Sequence, residues 1–542
     1  MADITEQAGT ALSGRQIARA AGLVMAGFVL SRLLGLVRET VIASIFGGGG
    51  VYDAFVAASR PPETLFLVVA GGAIGSAFIP TFMDYIAQGK RDEAYRLTST
   101  VVNLLLLLMI GIAGLSAIFA RPIVDTLLVP DFDAEAQALT ARLLRIMLLT
   151  PIIFSVSGLM MGFLNAHQRF LLPALAPLLR NIGIIIGTVA LAPSMGIFGL
   201  AWGTVLGAAL HFLIQLPGVV ATRFPYRLIL DVKHPGVIEV ARLMGPRVLG
   251  LAIVQINFWV STILASGMVE GSLGALNRAW FIMLLPQGVI AQSAATAAFP
   301  TFSAHVAGGQ TEALKRTLGQ VLRAVLFLAL PATVGLVILR LPIVRLIFER
   351  GAFTPQDSQA TAWALLFFSL GLVAHSLVEI VTRAFYAMHD TLTPVVVGGG
   401  AMILNVLLSL TLIHVIGTPG SLEHGTFAGL ALANTLATTL EGLALLALVR
   451  ARLGGLEGHR LASSLLRAGA ASAVMGLALW LLTPALITWM GVTFGSLNAI
   501  IAGGGLFWGL AWVFGSEEAR FFTETAVKRL SRQQARPDDE GR

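Results

Sequence analysis

The sequence predicts an all-α protein that crosses a membrane many times, and three observations carry this prediction. Hydrophobic residues make up 56% of the 542 residues, only 12% are charged, and the mean hydropathy is +0.83. A soluble globular chain carries roughly 25% charged residues. The apolar residues also fall in blocks of about 20 or more, the length that a helix needs to cross a hydrocarbon core. The strands of a membrane barrel would instead alternate in short segments, which the sequence does not show.

The hydropathy pattern predicts about 14 transmembrane helices. Their approximate ranges are 18–46, 52–87, 95–119, 136–163, 170–193, 197–220, 236–267, 273–306, 316–340, 358–386, 392–416, 426–450, 462–489 and 494–515. The second and the eighth are longer than a bilayer needs and contain proline and glycine, so we expect bends or breaks within both.

Basic residues fall in alternate connections, for example in 90–96, 223–233 and 450–460. The opposite connections are nearly bare or acidic, except for Arg340, Arg345 and Arg350. The positive-inside rule then places both termini in the cytoplasm. The net charge of +7 is explained by these topology determinants, so we expect no nucleic-acid partner.

The chain contains an internal repeat. AFIPTFMDYIAQGKRDEAYR near residue 80 matches AFPTFSAHVAGGQTEALKR near residue 300 at an offset of 220, and FLNAHQRFLLP matches AFYAMHDTLTP at an offset of 221. Chance matches of proline, glycine and phenylalanine in an apolar chain are the alternative. Two homologous halves of six helices would be related by a pseudo-two-fold axis along the membrane normal. The predicted division is a cytoplasmic N-terminal segment (1–17), an N-lobe (18–220), a C-lobe (236–450), helices 13 and 14 (462–515) and a cytoplasmic tail (516–542).

Ionisable residues inside the predicted spans are candidate functional residues, because a charge at membrane depth is costly. The first two helices carry Arg32, Arg38, Asp53 and Arg60, and the eighth carries Arg278. Each guanidinium offers a planar fork that matches phosphate oxygens, so this set predicts a site for a diphosphate. The alternative is that each arginine pairs with a local acid, Arg38 with Asp53 for instance, and only holds helices together.

A second polar group lies on the tenth helix, where His375, Glu379 and Arg383 follow at intervals of four residues and share one face. His375 and Glu379 are candidates for coupling to an ion. The alternative is a self-neutralising pair of Glu379 and Arg383.

The sequence shows no enzyme motif, and we predict a transporter that is not an enzyme. The four glycines at 47–50 lack the Lys-Ser/Thr of a phosphate-binding loop and predict a turn. No nucleotide-binding domain is present, and cysteine is absent, which excludes thiolate metal sites. We therefore expect no cofactor and no metal, and a coupling ion or the membrane potential as the energy source.

Several blocks resemble the MurJ/MviN family of lipid II flippases. They are SRLLGLVRETVIASIFGGGGVYDAFVAASRPPETLF, FLNAHQRFLLPALAPLLRNIG, LIFERGAFTPQDSQATAWALLFFSLGL and RAFYAMHDTLTP, and the resemblance runs from about residue 15 to about residue 450. It implies the fold of the multidrug/oligosaccharidyl-lipid/polysaccharide exporter (MOP) superfamily, in which two further C-terminal helices line a groove for the lipid tail. The family's cavity arginines and aspartate correspond to Arg32, Arg38, Asp53 and Arg60.

The resemblance also implies a function: export of lipid II, the undecaprenyl-diphosphate-linked peptidoglycan precursor, across the bacterial cytoplasmic (inner) membrane by alternating access. Membrane lipids and cell-wall synthesis enzymes are the further partners that it suggests. The eighth helix departs from the family pattern, because Phe281 stands where members usually carry an arginine and Leu284 where some carry an acid. Arg278, about one turn earlier, is the candidate replacement. Two alternatives stay open: a flippase for another polyprenyl-diphosphate-linked glycan of the O-antigen or capsule type, and a cation-coupled drug exporter.

Overall fold

The computed structural model describes residues 14–69 and 73–524, and across these two ranges it contains helices and no strand. The predicted all-α fold is confirmed. Most of the predicted N-terminal segment 1–17 and most of the predicted tail 516–542 lie outside the described residues.

Twelve helices precede residue 270. They are α1 (Gly14–Phe46), α2 (Gly50–Val69), α3 (Ala73–Ala87), α4 (Arg91–Ile118), α5 (Ala120–Pro122), α6 (Ala134–Met147), α7 (Leu149–Ala166), α8 (Leu171–Ile186), α9 (Ala192–Met195), α10 (Ile197–Leu213), α11 (Leu216–Val220) and α12 (Pro235–Ser266). Eight more follow: α13 (Ser272–Gln287), α14 (Ser293–Ala307), α15 (Thr311–Phe348), α16 (Pro355–Leu370), α17 (Leu372–Ala387), α18 (Leu392–Leu412), α19 (Ala428–Arg452) and α20 (Gly458–Val513). Short π-helical segments cover Ile123–Leu128, Gly187–Leu191 and Gly288–Gln292.

Each of the 14 predicted ranges contains helix. Within the described residues, nine helical stretches are long and apolar enough to cross a membrane, and a tenth is gained if α16 and α17, which meet at 45°, form one span. The stretch α20 covers two predicted spans and breaks at Gly491, whose φ of 76° suits a residue without a Cβ. The number of spans therefore stays a prediction.

The predicted irregularity of the eighth helix is present. The helix α13 ends just after Pro286, the π-helical segment Gly288–Gln292 follows, and α14 begins at Ser293. Proline has no N–H to donate and its ring crowds the preceding turn, so the regular hydrogen-bond ladder is disturbed there. In the second predicted helix, α2 continues through Pro61 and Pro62 without a break, while Gly71 and Gly72 lie outside the described residues.

The sequence repeat is also a repeat of backbone structure. After α3, Gly89 has a φ of 73°, and after α14, Gly309 has a φ of 65°. The next residue donates its N–H five residues back in both halves, from Lys90 to Tyr85 and from Gln310 to His305. The second pair of sequence matches behaves in the same way, because Gln168 and His389 both have a positive φ, at 57° and 60°. Positive φ is uncommon for residues other than glycine, so chance does not explain the agreement.

The chain divides into two compact units. The first contains the described residues up to Gly274 together with Arg350–Asp357, and the second contains Ala275–Glu349 and the described residues from Ser358 onward. The helix α12, predicted to open the C-lobe, packs against α2, α3 and α4 of the first unit. The lobe boundaries remain a prediction.

A short segment from the second half of the sequence belongs to the first unit. The segment Arg350–Asp357 lies between α15 and α16 in the chain, yet the N–H of Ala352 donates to the carbonyl oxygen of Ser44 over 2.8 Å. Gly351, with a φ of 61°, lies against the backbone of Ser44, where a side chain would collide. The turn at Gly47–Gly50, predicted from its four glycines, is therefore covered by this segment.

In the second unit, α20 packs along α15. The side chain of Arg323 on α15 contacts the residues on both sides of α20. Its Nη1 is 2.9 Å from Glu457, which precedes α20, and its Nε is 3.6 Å from Glu518, which follows α20. These contacts anchor the two C-terminal predicted spans to the second unit.

One close helix contact of the first unit is built from glycine. Gly183 of α8 lies opposite Gly207 of α10, and Gly187 lies opposite Gly203. A Cβ on Gly183 would come within 2.5 Å of the Cα of Gly207, and a Cβ on Gly187 would overlap the Cα of Gly203. Small residues at four-residue intervals allow such close approach, which is a main source of helix association in membranes.

We expect Gly187→Ala to lower the stability of the chain by about 1–3 kcal/mol, because the added methyl group meets backbone that cannot rotate away. Thermal unfolding in detergent measures the effect. The matched control is Gly114→Ala on α4, where a Cβ meets nothing within 4 Å. Equal melting temperatures for the two variants would contradict this packing.

Candidate functional site

Arg38 is held between two helices of the first unit. Its Nη2 donates to Oε1 of Glu39 over 2.6 Å, and its Nη1 donates to Oδ1 of Asn181 on α8 over 2.9 Å. The amide of Asn181 in turn donates to the carbonyl oxygen of Ser31 over 3.2 Å. The pairing of Arg38 with Asp53, weighed as an alternative from the sequence, is wrong, because Asn181 and Glu39 take that place.

Asp53 accepts two hydrogen bonds from the backbone. It is 2% exposed, and its two carboxylate oxygens accept the N–H groups of Gly271 (2.7 Å) and Gly274 (2.6 Å). These N–H groups open α13, where a helix has donors without intrahelical partners and a partial positive charge. Asp53 therefore fixes α2 to the beginning of α13.

Arg60 lies on α2 among aromatic and acidic neighbours. Its guanidinium carbon is 5.6 Å from the ring centroid of Phe258 on α12, and Nη1 is 3.6 Å from Glu63. Arg32 is half-buried on α1 of the same unit. Arg32, Arg38, Asp53 and Arg60 all belong to the first unit.

Arg278 lies on α13 within the second unit and is fully buried. Phe281 and Leu284 follow on the same helix and are partly buried. Arg278 and Phe281 are three residues apart and so lie on one face of α13. The replacement of the family's arginine by Arg278 stays a prediction.

A further arginine, Arg180 on α8, was not selected from the sequence. Its guanidinium carbon is 5.4 Å from the ring centroid of Phe154 on α7. Among the residues that the structure describes, the side chain of Arg180 has no hydrogen-bond partner and no ion pair, and its Nε is buried. Arg38, Glu39 and Glu63 lie within electrostatic range of it. Arg180 thus joins the groups around Arg38 and Arg60. The same signal that selected Arg32, an arginine inside an apolar block, was available for it.

A buried polar cluster supports the ring on which Arg180 lies. Phe154 packs edge-on against His211 of α10, with centroids 5.2 Å apart. Nδ1 of His211 lies 2.7 Å from Oγ of Ser157, which accepts a hydrogen bond from Gln215 over 2.8 Å. Since these bonds join α7 to α10, they fix Phe154 beneath the guanidinium of Arg180.

The ion-coupling candidates lie in the second unit with partners of their own. Arg383 donates to Glu379 over 3.0 Å, which is the self-neutralising pair allowed as the alternative. Nε2 of His375 lies 3.1 Å from Oδ1 of Asn434 on α19, and the ring packs edge-on against Trp280. Their role in coupling stays a prediction. No group of three or more His, Asp or Glu side chains within 14–69 and 73–524 has the arrangement of a metal site.

Comparison with known proteins identifies the family. The family "Lipid II flippase MurJ" matches residues 42–499. The lipid II flippase MurJ of Burkholderia cenocepacia is 32% identical over 412 residues, which are 73% of this chain and 79% of that protein.

Solved structures show the same relationship. A lipid II flippase MurJ in an inward closed conformation superposes with a TM-score of 0.76 at 25% identity, over 92% of this chain and 99% of that one. An inward-facing multidrug resistance MATE family transporter of the MOP superfamily superposes with a TM-score of 0.65 at 15% identity, over 78% of this chain and 94% of that one, and shares the fold. From the family match and the identity together, the chain belongs to the lipid II flippase MurJ family.

Proposed function

We propose that this chain flips lipid II from the inner to the outer leaflet of the bacterial cytoplasmic membrane. The observation that carries the proposal is the family match over residues 42–499, which includes Arg60 and Asp53. Lipid II has a diphosphate between its polyprenyl tail and its sugars, so a protein that moves it must offer positive charge at membrane depth. A transporter leaves its substrate chemically unchanged, and we propose no catalytic residue.

The arginines of the first unit support a diphosphate site. The guanidiniums of Arg38, Arg60 and Arg180 lie near the carboxylates of Glu39 and Glu63, so positive charge is in excess. Guanidinium groups bind phosphate oxygens in pairs of parallel hydrogen bonds. Arg32, Arg38 and Arg60 would hold the diphosphate and Arg180 would supply charge that no carboxylate pairs directly, while Asp53 would fix the helices that carry them.

The remaining elements of the proposal concern the tail and the cycle. The polyprenyl tail would lie in the membrane or along α20, which exposes large apolar side chains such as Leu477, Trp480, Leu481, Phe494 and Ile501. Both termini would be cytoplasmic, and alternating access would carry the head group outward, driven by the membrane potential or an ion gradient. Cell-wall synthesis enzymes are the proposed partners on either side of this step.

A second candidate substrate is another polyprenyl-diphosphate-linked glycan of the O-antigen or capsule type. It is favoured by Phe281 and Leu284, which stand where family members carry an arginine and an acid. A cation-coupled drug exporter would need acidic residues in excess, and the arginines of the first unit argue against it.

The double variant Arg32→Ala with Arg60→Ala tests the proposal. In a host depleted of its own lipid II flippase, we expect the wild-type chain to restore growth and outer-leaflet lipid II, and the double variant to fail at equal membrane levels. The control is Arg121→Ala, which breaks a local pair with Asp125 that is 2.7 Å long and partly exposed. Normal rescue by the double variant would overturn the arginine site, and an expressed wild type that gives no rescue would favour another glycan.

Arg180→Leu separates a binding role from a structural one. Removing an unpaired charge from a span should leave the melting temperature equal or higher. Losing charge-assisted hydrogen bonds to the diphosphate should lower the flipping rate of purified protein by about tenfold or more. A variant with reduced stability and an unchanged rate would show that Arg180 has a structural role.

A further inference from the structure

Glu441 is a carboxylate deep inside a predicted membrane span. It lies on α19, which runs over Ala428–Arg452, so that 13 residues precede it in the helix (441 − 428) and 11 follow it (452 − 441). At 1.5 Å per residue, Glu441 is roughly 16–20 Å from each end of α19. Ionisable residues at such depth are rare and mark proton and ion pathways by default.

The side chain of Glu441 lies on the packed side of α19. Residues three and four positions away share its face. Three of these residues are buried (Ala437, Thr438 and Leu445), and the fourth, Ala444, is partly buried. A separate stripe of the same helix is exposed, as expected for a surface in contact with lipid: Leu436, Leu440 and Leu443. Glu441 itself is half-buried between them.

The neighbouring helix leaves space for the carboxylate. A Cβ built on Gly398 of α18 would be 3.3 Å from Oε1 of Glu441, so the oxygen lies against bare backbone. Gly399 and Gly400 follow, and a Cβ on either of them would meet nothing within 4 Å. The carboxylate therefore lies against the backbone of Gly398 rather than beside a donor side chain.

No counter-ion in the described part of the chain pairs with Glu441, and no hydrogen bond reaches its carboxylate. The helices α17 and α18 pack along α19, and Thr435 of α19 also donates to the carbonyl oxygen of Phe367 on α16. On α17, His375 is bonded to Asn434, Glu379 and Arg383 pair with each other, and Tyr386 is the remaining titratable residue.

The other helices offer no partner either. The sequence of α18 contains no titratable residue. On α19 itself, Arg450 and Arg452 lie in the last turn, and Arg452 pairs with Asp390. An ionised Glu441 would therefore stand alone at membrane depth, and a bound proton neutralises it.

We propose that Glu441 is a proton-binding site whose protonation and deprotonation during the transport cycle link the proton gradient to lipid flipping. This inference rests on the proposed function. The step is proton exchange between water and one carboxylate, with no other bond made or broken. A metal cation would need several oxygen ligands around it. The lone carboxylate over glycine backbone offers a single acidic group, so the proton is the ligand that the geometry fits.

Flipping of a fluorescent lipid II by the full chain in proteoliposomes tests this inference, with proton movement followed by a dye inside the vesicles. With one proton exchanged per lipid, we expect a pH gradient to shift the distribution of lipid between leaflets by up to about tenfold per pH unit. Glu441→Gln should abolish both this shift and lipid-dependent proton movement. Glu441→Asp should keep both with an altered pH midpoint. The control is Glu423→Gln, at an exposed loop residue.

The outcomes separate the two proposals. A wild-type chain that flips no lipid II under any imposed ion gradient or membrane potential contradicts the proposed function. Two results overturn the proton site alone. In the first, the wild type flips lipid II but does not respond to the pH gradient, or responds to a sodium gradient instead. In the second, Glu441→Gln responds to the pH gradient as the wild type does. If Glu441→Gln fails to fold, Glu441→Asp is the deciding variant. A pH midpoint in Glu441→Asp equal to that of the wild type overturns the inference.

Discussion

The arrangement of this chain depends on one constraint: an ionised side chain at membrane depth must find a partner, because lipid offers none. A few kcal/mol per unpaired charge is enough to decide which helices lie side by side. Arg38 meets this constraint through Glu39 and Asn181, which joins α1 to α8. Asp53 meets it through the backbone N–H groups of Gly271 and Gly274, which joins α2 to the start of α13. The charged residues of the first unit thus set its helix packing as well as its candidate site.

Ionisable side chains that lack a paired counter-charge are the ones available for function. Arg180 lies on an aromatic ring, near acids that are already engaged by other arginines. Aromatic rings stabilise a guanidinium without neutralising it, so such a residue stays able to bind an anion. In the second unit, Glu441 is the corresponding residue of negative charge. Its carboxylate lies against glycine backbone and not against a hydrogen-bond donor. An unbalanced cation in one unit and an unbalanced acid in the other would suit the exchange of an anionic lipid against protons.

Much of the fold could be predicted because its signals are local. Long apolar blocks give helices wherever they occur, and the repeat is encoded in short motifs whose turns recur with the same φ at Gly89 and Gly309. Pairing could not be predicted in this way. Asn181 is 143 residues from Arg38 in sequence. The sequence pattern gives no reason to choose Asn181 rather than Asp53 as the partner of Arg38. Glu441 and Arg180 carried the same signal as Arg32, but the sequence does not tell which charges remain unpaired after packing.

The glycine contacts between α8 and α10 have a consequence for how this gene can change. Every missense substitution of a glycine introduces a residue with a Cβ. At Gly183, Gly187, Gly203 and Gly207 the space for that atom is already filled by the facing backbone. No single missense substitution at these four glycines is therefore neutral. Neutral sequence change in this region is confined to the residues between the glycines. A relative that has lost one of these glycines must first have acquired a wider separation of the two helices.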